Sequence, residues 1–319
     1  MAHFSNKSNQ QQKGRRIRLL FTGFSMGVAD LVPGVSGGTI AFLFGIYDEL
    51  LYTIRLMTGQ VPKLIIRRQF RSAVSMIPFE FIVPVFVGIV AAIFGLVQIV
   101  SYLLDTAPTL VWALFFGLVL GSSLVVSRRI KEWTLQRGLL LVLGFIFTFA
   151  IVSLPELSGS QTPLALFGTG AIAITAMILP GISGSLIMVL LGQYEIVINA
   201  VADRNVLLLA FFAAGAIVGL ALFVRVLSWL LKHYHFAVIA FLVGVMLGSL
   251  QRIWPWQTTG SGGEIVNSFP TFGWGVLPVL LLMIAGFVLV ILLERAGVAK
   301  EHDDINTRDF KREFKEIEG

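Results

Sequence analysis

The 319-residue chain has no cysteine, four histidines and only 13% charged residues. Without cysteine there is no disulfide framework, no thiolate metal site and no cysteine nucleophile. The shortage of charge excludes more. A soluble domain carries about 25% charged residues, whereas this chain is 56% hydrophobic with a mean hydropathy of +0.86. A water-soluble globular protein, a disordered chain and a coiled coil are therefore excluded. A Walker motif is also lacking, so the chain does not itself use ATP. What the sequence has instead is 32 glycines, 26 phenylalanines and apolar runs near the roughly 20 residues that cross a bilayer as a helix. It reads as an all-α polytopic membrane protein.

The apolar runs are 17–52, 79–104, 109–126, 139–154, 164–200, 206–231, 236–250 and 276–293, between polar tails at 1–16 and 296–319. The basic residues set their direction. Of 24, 21 fall in the N-terminal segment, around Arg55–Arg71, around Arg128–Arg137, at Lys232 and in the C-terminal tail. Basic residues collect in cytoplasmic loops, so both termini and those loops are expected on the cytoplasmic side of the membrane. The net charge of +6 is thereby assigned to topology, and no nucleic-acid partner is expected. This sidedness requires runs 17–52 and 164–200 each to begin and end on one face. Run 17–52 gives two arms of about 16 residues, or roughly 24 Å each, against a hydrocarbon core of about 30 Å. A re-entrant hairpin fits that length, and two strongly tilted crossings would give the same sidedness.

The chain also repeats itself. Pro33-Gly34-Val35-Ser36-Gly37-Gly38 recurs as Pro180-Gly181-Ile182-Ser183-Gly184-Ser185, 147 residues on, and at the same offset Gly45, Tyr47 and Asp48 meet Gly192, Tyr194 and Glu195. Later matches, such as Gly117…Gly121-Ser122 with Gly244…Gly248-Ser249, lie 127 apart. The second copy thus lacks about 20 residues, the basic piece around Lys63–Arg71. The expected organisation is a first repeat over 17–155 and a second over 164–295, each a hairpin followed by three helices. Three is odd, so the copies should be inverted. Broken apolar segments at matching positions of inverted halves point to a transporter's central site.

Irregular backbone at membrane depth is tolerated only when buried in protein or lining a wet cavity. Pro33 and Pro180 end the incoming arms, and Ser36 and Ser183 can cap the outgoing ones. An outgoing arm then offers free amides and about half a positive charge, which suits an anion. The expected phosphate-binding residues are Gly34, Val35, Ser36, Gly37, Gly38, Thr39, Gly181, Ile182, Ser183, Gly184 and Ser185. Two helix ends supply about +1 against −1.5 to −2 on a phosphate monoester, so a cation or a proton should complete the site. Arg225, inside an apolar run, is the candidate, and snorkelling to the interface is the competing reading. Its repeat mate is Gln98. Asp30, three residues before the first break, would cost about 2.5–3.5 kcal/mol at the bilayer centre. It could take up a coupling H+ or Na+, or cap the turn. Glu80 opens a helix, where its charge suits the dipole, and with Gln98 it is a secondary candidate. No catalytic residue, metal or other cofactor is expected.

The stretch Gly27-Val28-Ala29-Asp30-Leu31-Val32-Pro33-Gly34-Val35-Ser36-Gly37-Gly38-Thr39, with Leu179-Pro180-Gly181-Ile182-Ser183-Gly184-Ser185 later, resembles the bacterial polyprenyl-phosphate transporters, formerly a membrane domain of unknown function. The resemblance covers about residues 17–295. It implies a flippase for undecaprenyl phosphate, returning the lipid carrier of cell-envelope synthesis across the inner membrane. The implied partners are that lipid and the bilayer, with a homodimer as a further expected assembly. A carrier or channel for a small soluble anion would use the same hairpins. A lipid pyrophosphate phosphatase would need a nucleophile with a general base. The histidines, at 3, 233, 235 and 302, all lie in polar ends or a short turn.

Overall fold

The computed structural model describes residues 2–31, 36–154, 156–259, 265–270 and 273–295. The expected C-terminal tail, 296–319, lies outside the described residues. The fold is nearly all helical. In chain order the helices are α1 (Ala2–Asp30), α2 (Gly37–Leu43), α3 (Tyr47–Thr58), α4 (Gln60–Ile66), α5 (Phe70–Met76), α6 (Phe79–Thr106), α7 (Pro108–Ser127), α8 (Leu135–Val152), α9 (Pro163–Ile178), α10 (Gly184–Leu190), α11 (Tyr194–Ala202), α12 (Val206–Ser249) and α13 (Val276–Arg295). Among the described residues, α6, α7, α8, α12 and α13 are long and apolar enough to cross a membrane, and the bent pair α10–α11 would make a sixth span. Large apolar side chains such as Phe86, Phe94, Leu139, Phe147, Ile217 and Leu281 are exposed. A soluble protein does not display apolar surface on that scale; hydrocarbon is its natural solvent.

Three features depart from the sequence reading. The polar N-terminus is not a separate tail, because α1 runs unbroken from Ala2 to Asp30. Nor is the fold purely helical. Strands β1 (Gln257–Thr259) and β2 (Ile265–Asn267) pair antiparallel, with Thr258 opposite Val266, where β-branched residues favour extended backbone. Third, the outgoing arm of the first broken run stops at Leu43 instead of continuing towards Tyr52. Gly45 has φ +73°, and the amides of Gly45 and Ile46 return to the carbonyls of Phe42 and Ala41. That pattern is a glycine C-cap. It recurs after α10, where Gly192 has φ +64°, the amides of Gly192 and Gln193 reach Val189 and Met188, and the chain bends by 106° into α11. Helix α12 is itself broken. Tyr234 has non-helical angles (φ −130°, ψ 40°), in the short polar interval between two of the apolar runs.

Glycine seams hold the long helices together. Gly23 of α1 lies against the Val85 carbonyl of α6, and Gly88 against the Leu20 carbonyl. The same relation joins Gly170 of α9 to Phe212 of α12, and Gly215 to Phe167. Each member of the second set lies 147 or 127 residues after its counterpart, so one packing relation is made twice. Two more seams behave alike. Gly117 and Gly286 join α7 to α13 at Met283 and Leu114, and Gly244 and Gly144 join the last arm of α12 to α8 at Leu141 and Phe241. Small residues at such crossings let backbones approach closely in lipid. The buried core lies between these seams. All seven residues of α2 are buried, and Phe42, Leu43, Phe44 and Ile46 share one cluster with Ile178, Val243 and Met246.

A Cβ at Gly215 would overlap the Phe167 carbonyl, whereas one at Gly95 meets nothing within 4 Å. Gly215→Leu should therefore destabilise the detergent-solubilised protein by at least the 1–3 kcal/mol, roughly, of an overpacked core. Gly95→Leu should leave the thermal unfolding midpoint unchanged. Equal midpoints for the two variants would contradict the seam.

Candidate functional site

The two Pro-Gly breaks meet. Ser36, the N-cap of α2, has extended backbone (φ −124°, ψ 134°), which turns its hydroxyl to two uses. Its Oγ accepts from the Gly38 amide at 3.1 Å and donates to the Met177 carbonyl at 2.9 Å. Thr39 Oγ1 accepts from the Gly181 amide at 2.9 Å, and the Tyr47 hydroxyl donates to the Ile178 carbonyl at 3.1 Å. A Cβ on Gly38 would sit 2.7 Å from the Ile178 carbonyl oxygen, so only glycine permits this approach. The positive end of α2 is thus laid on the carbonyl end of α9, a favourable pairing of opposite helix ends. Gly34 and Val35 lie outside the described residues.

The amides at the start of α2 are occupied from within. Asp30 Oδ1 accepts from the Gly37 amide at 2.7 Å, Ser36 Oγ takes Gly38, and the Thr39 amide returns to the Ser36 carbonyl at 2.9 Å. The first break therefore carries its own carboxylate, in the turn-capping role that the sequence reading held open for Asp30 beside ion coupling. The second break differs. Among the described residues, no side chain caps α10. The Ser183 hydroxyl turns aside to Ser185 Oγ at 2.7 Å. At the 147-residue offset Asp30 corresponds to Met177, which has no charge. Gly181 holds φ +92° and a Cβ there would press on Met246 and Ser249. Gly181, Ile182, Ser183 and Gly184 are buried and Ser185 is half-buried.

Other sequence candidates lie elsewhere. Arg225 donates from Nη1 to the Ala221 carbonyl at 3.1 Å and from Nη2 to the Thr58 carbonyl at 3.2 Å. Its contacts are thus with the far end of α3, not with the breaks, and the expectation that it completes the site at the tips is corrected accordingly. Its reach to Thr58 depends on the turn at Gly45, which sequence periodicity does not reveal. Gln98 is exposed on α6. Glu80 pairs with Arg16 at 2.9 Å, both half-exposed; such a surface pair contributes little beyond fixing the start of α6 against α1. Tyr47 entered the sequence reading only as a repeat mate, yet with Met177 it helps to join the two breaks.

Ser36 Oγ is taken up by Met177 and Gly38, and Ser183 Oγ faces another hydroxyl, so neither has a base beside it. Among the described residues, no group of three His, Asp or Glu side chains could hold a metal ion.

Comparison with known proteins accords with this picture. Residues 26–267 match the sequence profile of a family described as undecaprenyl phosphate translocase-like. A Vibrio cholerae protein named polyprenyl-phosphate transporter is 40% identical over 290 residues, covering 86% of this chain and 94% of that protein. A Staphylococcus aureus protein of the same name is 28% identical over 300 residues, covering 88% and 97%. Both are named as transporters, not as enzymes. No solved structure matches the chain. With the motif-bearing stretch and both breaks inside the matched region, the chain belongs to the undecaprenyl phosphate translocase-like family.

Proposed function

We propose that this chain carries a polyprenyl phosphate, undecaprenyl phosphate in the family reading, across a bacterial inner membrane, with the phosphate held at the paired breaks while the tail stays in lipid. The observation that carries the proposal is the contact of the two breaks through Ser36–Met177, Thr39–Gly181 and Tyr47–Ile178. The names of the relatives support the substrate. Moving a bare phosphate through hydrocarbon costs tens of kcal/mol by Born estimates. A buried, amide-rich junction lowers that barrier, and the apolar tail needs no such help.

In this proposal the halves are inverted repeats and the breaks are re-entrant. The twofold occurrence of the glycine seams supports the first statement. Contacts that bring the end of the outgoing arm back to the start of the incoming one support the second: Arg15 pairs with Glu49 at 2.5 Å and Arg18 donates to the Phe44 carbonyl at 3.2 Å. In the same reading the termini and the α3–α5 segment are cytoplasmic, which the distribution of Lys and Arg supports. The uncapped start of α10 receives the phosphate, and Asp30 is the coupling group. While ionised, Asp30 fills the positive end of α2. Neutralised by a proton or a sodium ion, it no longer repels the substrate dianion one break away, so loading follows the ion gradient.

Asp30→Asn retains an acceptor for the Gly37 amide but removes the charge. In proteoliposomes that follow labelled polyprenyl phosphate between leaflets under an imposed gradient, this variant should still transport, with its pH or sodium dependence lost. An unchanged profile would reduce Asp30 to a cap. Met177→Asp places a carboxylate at the position corresponding to Asp30. It should lower the apparent affinity for polyprenyl phosphate about tenfold, equivalent to 1.4 kcal/mol, and wild-type affinity in this variant would remove α10 from the site.

A further inference from the structure

The basic segment between the first break and α6 has no counterpart in the second half, and it builds more than a topological signal. Where α3 gives way to α4, a cavity of about 230 Å³ is lined by Tyr52, Arg55, Gln60, Lys63 and Arg225, among others. Three of its lining side chains are cations and none is a carboxylate. A water's share of liquid volume is about 30 Å³, so the space holds roughly seven waters, enough for a hydrated phosphate group.

The cations are arranged for an oxyanion. Arg225 is steadied by two carbonyls, Ala221 and Thr58, and a guanidinium has five donors. The remaining donors lie in one plane, the geometry that grips a phosphate in bidentate fashion. Gly59 stands at the junction of α3 and α4, and a Cβ there would lie 3.6 Å from Arg225 Nη2. Among the described residues, neither Arg225 nor Lys63 has an acidic partner; Arg55, which has an interaction of its own, also lines the cavity. A phosphate monoester carries −1.5 to −2 near neutral pH, a charge that Lys63 and Arg225 together can match.

The opposite face cannot copy the arrangement. At the 147-residue offset Arg55 corresponds to Ala202 and Tyr52 to Asn199, at the 127-residue offset Arg225 corresponds to Gln98, and Lys63 falls in the piece without a mate. We propose that the Arg55–Lys63–Arg225 cavity is a second, one-sided binding site for a phosphate monoester group, distinct from the paired breaks. It loads or receives the headgroup on the face that carries the α3–α5 segment. That the ligand bears a lipid tail rests on the transport reading above; the anion site itself does not.

The test uses the full chain in nanodiscs, titrated with polyprenyl monophosphate and, separately, with inorganic phosphate. Lys63→Gln and Arg225→Gln should each weaken binding five- to tenfold and together by about fiftyfold, with Arg225→Lys recovering part of the loss. Arg71→Gln removes the same charge outside the cavity and should bind as wild type. In the unmodified protein, ligand should also shield Lys63, but not Lys131, from an amine-reactive reagent, a readout that requires no variant to fold. If the lipid is bound far more tightly than inorganic phosphate, the site takes a lipid headgroup; if both bind equally, it takes free phosphate. Either result affirms the site. Wild-type affinity for both ligands in the folded double variant, or unshielded Lys63 at saturating ligand, overturns it. If transport persists while the double variant binds as wild type, this site fails and the transport reading stands. If the cavity binds phosphate while wild-type vesicles move no polyprenyl phosphate, the reverse holds.

Discussion

The structure depends on the junction where the start of α2 lies on the end of α9. A seven-residue helix is too short to persist alone, since isolated helices below about 12–15 residues are marginal even in water. Buried among apolar side chains, its end groups would each cost several kcal/mol if left unpaired. Helix α2 is nevertheless fully buried, because both problems are solved together. Asp30 and Ser36 take its first amides, and the Met177 and Ile178 carbonyls, left without partners where α9 stops, accept from Ser36 and Tyr47. Each interruption supplies what the other lacks. Neither would be stable against lipid, which is why two breaks 147 residues apart in sequence occupy one place.

The same junction explains where the halves diverge. Their frames are alike: glycine seams, glycine C-caps and short outgoing helices all occur twice. Differences concentrate where charge is handled. Asp30 faces a methionine at its matched position, Arg225 a glutamine and Arg55 an alanine, and the segment bearing Lys63 exists once. A packing duplication would have no reason to spare the frame and vary the charges.

Much of this was legible in the chain itself. The long helices follow the apolar runs, because 18 or more apolar residues leave the backbone little choice in hydrocarbon. The breaks were legible as Pro-Gly pairs inside such runs, and their kinship as a repeated hexapeptide. The turn at Gly45 was hidden: the glycine was visible, but apolar residues continue past it, and periodicity cannot distinguish a straight arm from one folded back at a left-handed residue. Arg225 was misplaced for a related reason. Its location follows from where α3 travels after that turn, a three-dimensional consequence of one dihedral angle. The contact of Asp30 with the Gly37 amide, by contrast, was among the roles that the sequence allowed, as a cap of the turn.

The seams also exchange partners. Helix α7 of the first half is sewn to α13 of the second, and the last arm of α12, in the second half, is sewn to α8 of the first. The halves are therefore clasped like two hooked hands. Swinging one bodily against the other would part backbones that touch at glycine, where no side chain remains to bridge a gap. The long helices thus form one frame shared by both halves, and the chain turns away from it at the left-handed residues Gly45 and Gly192.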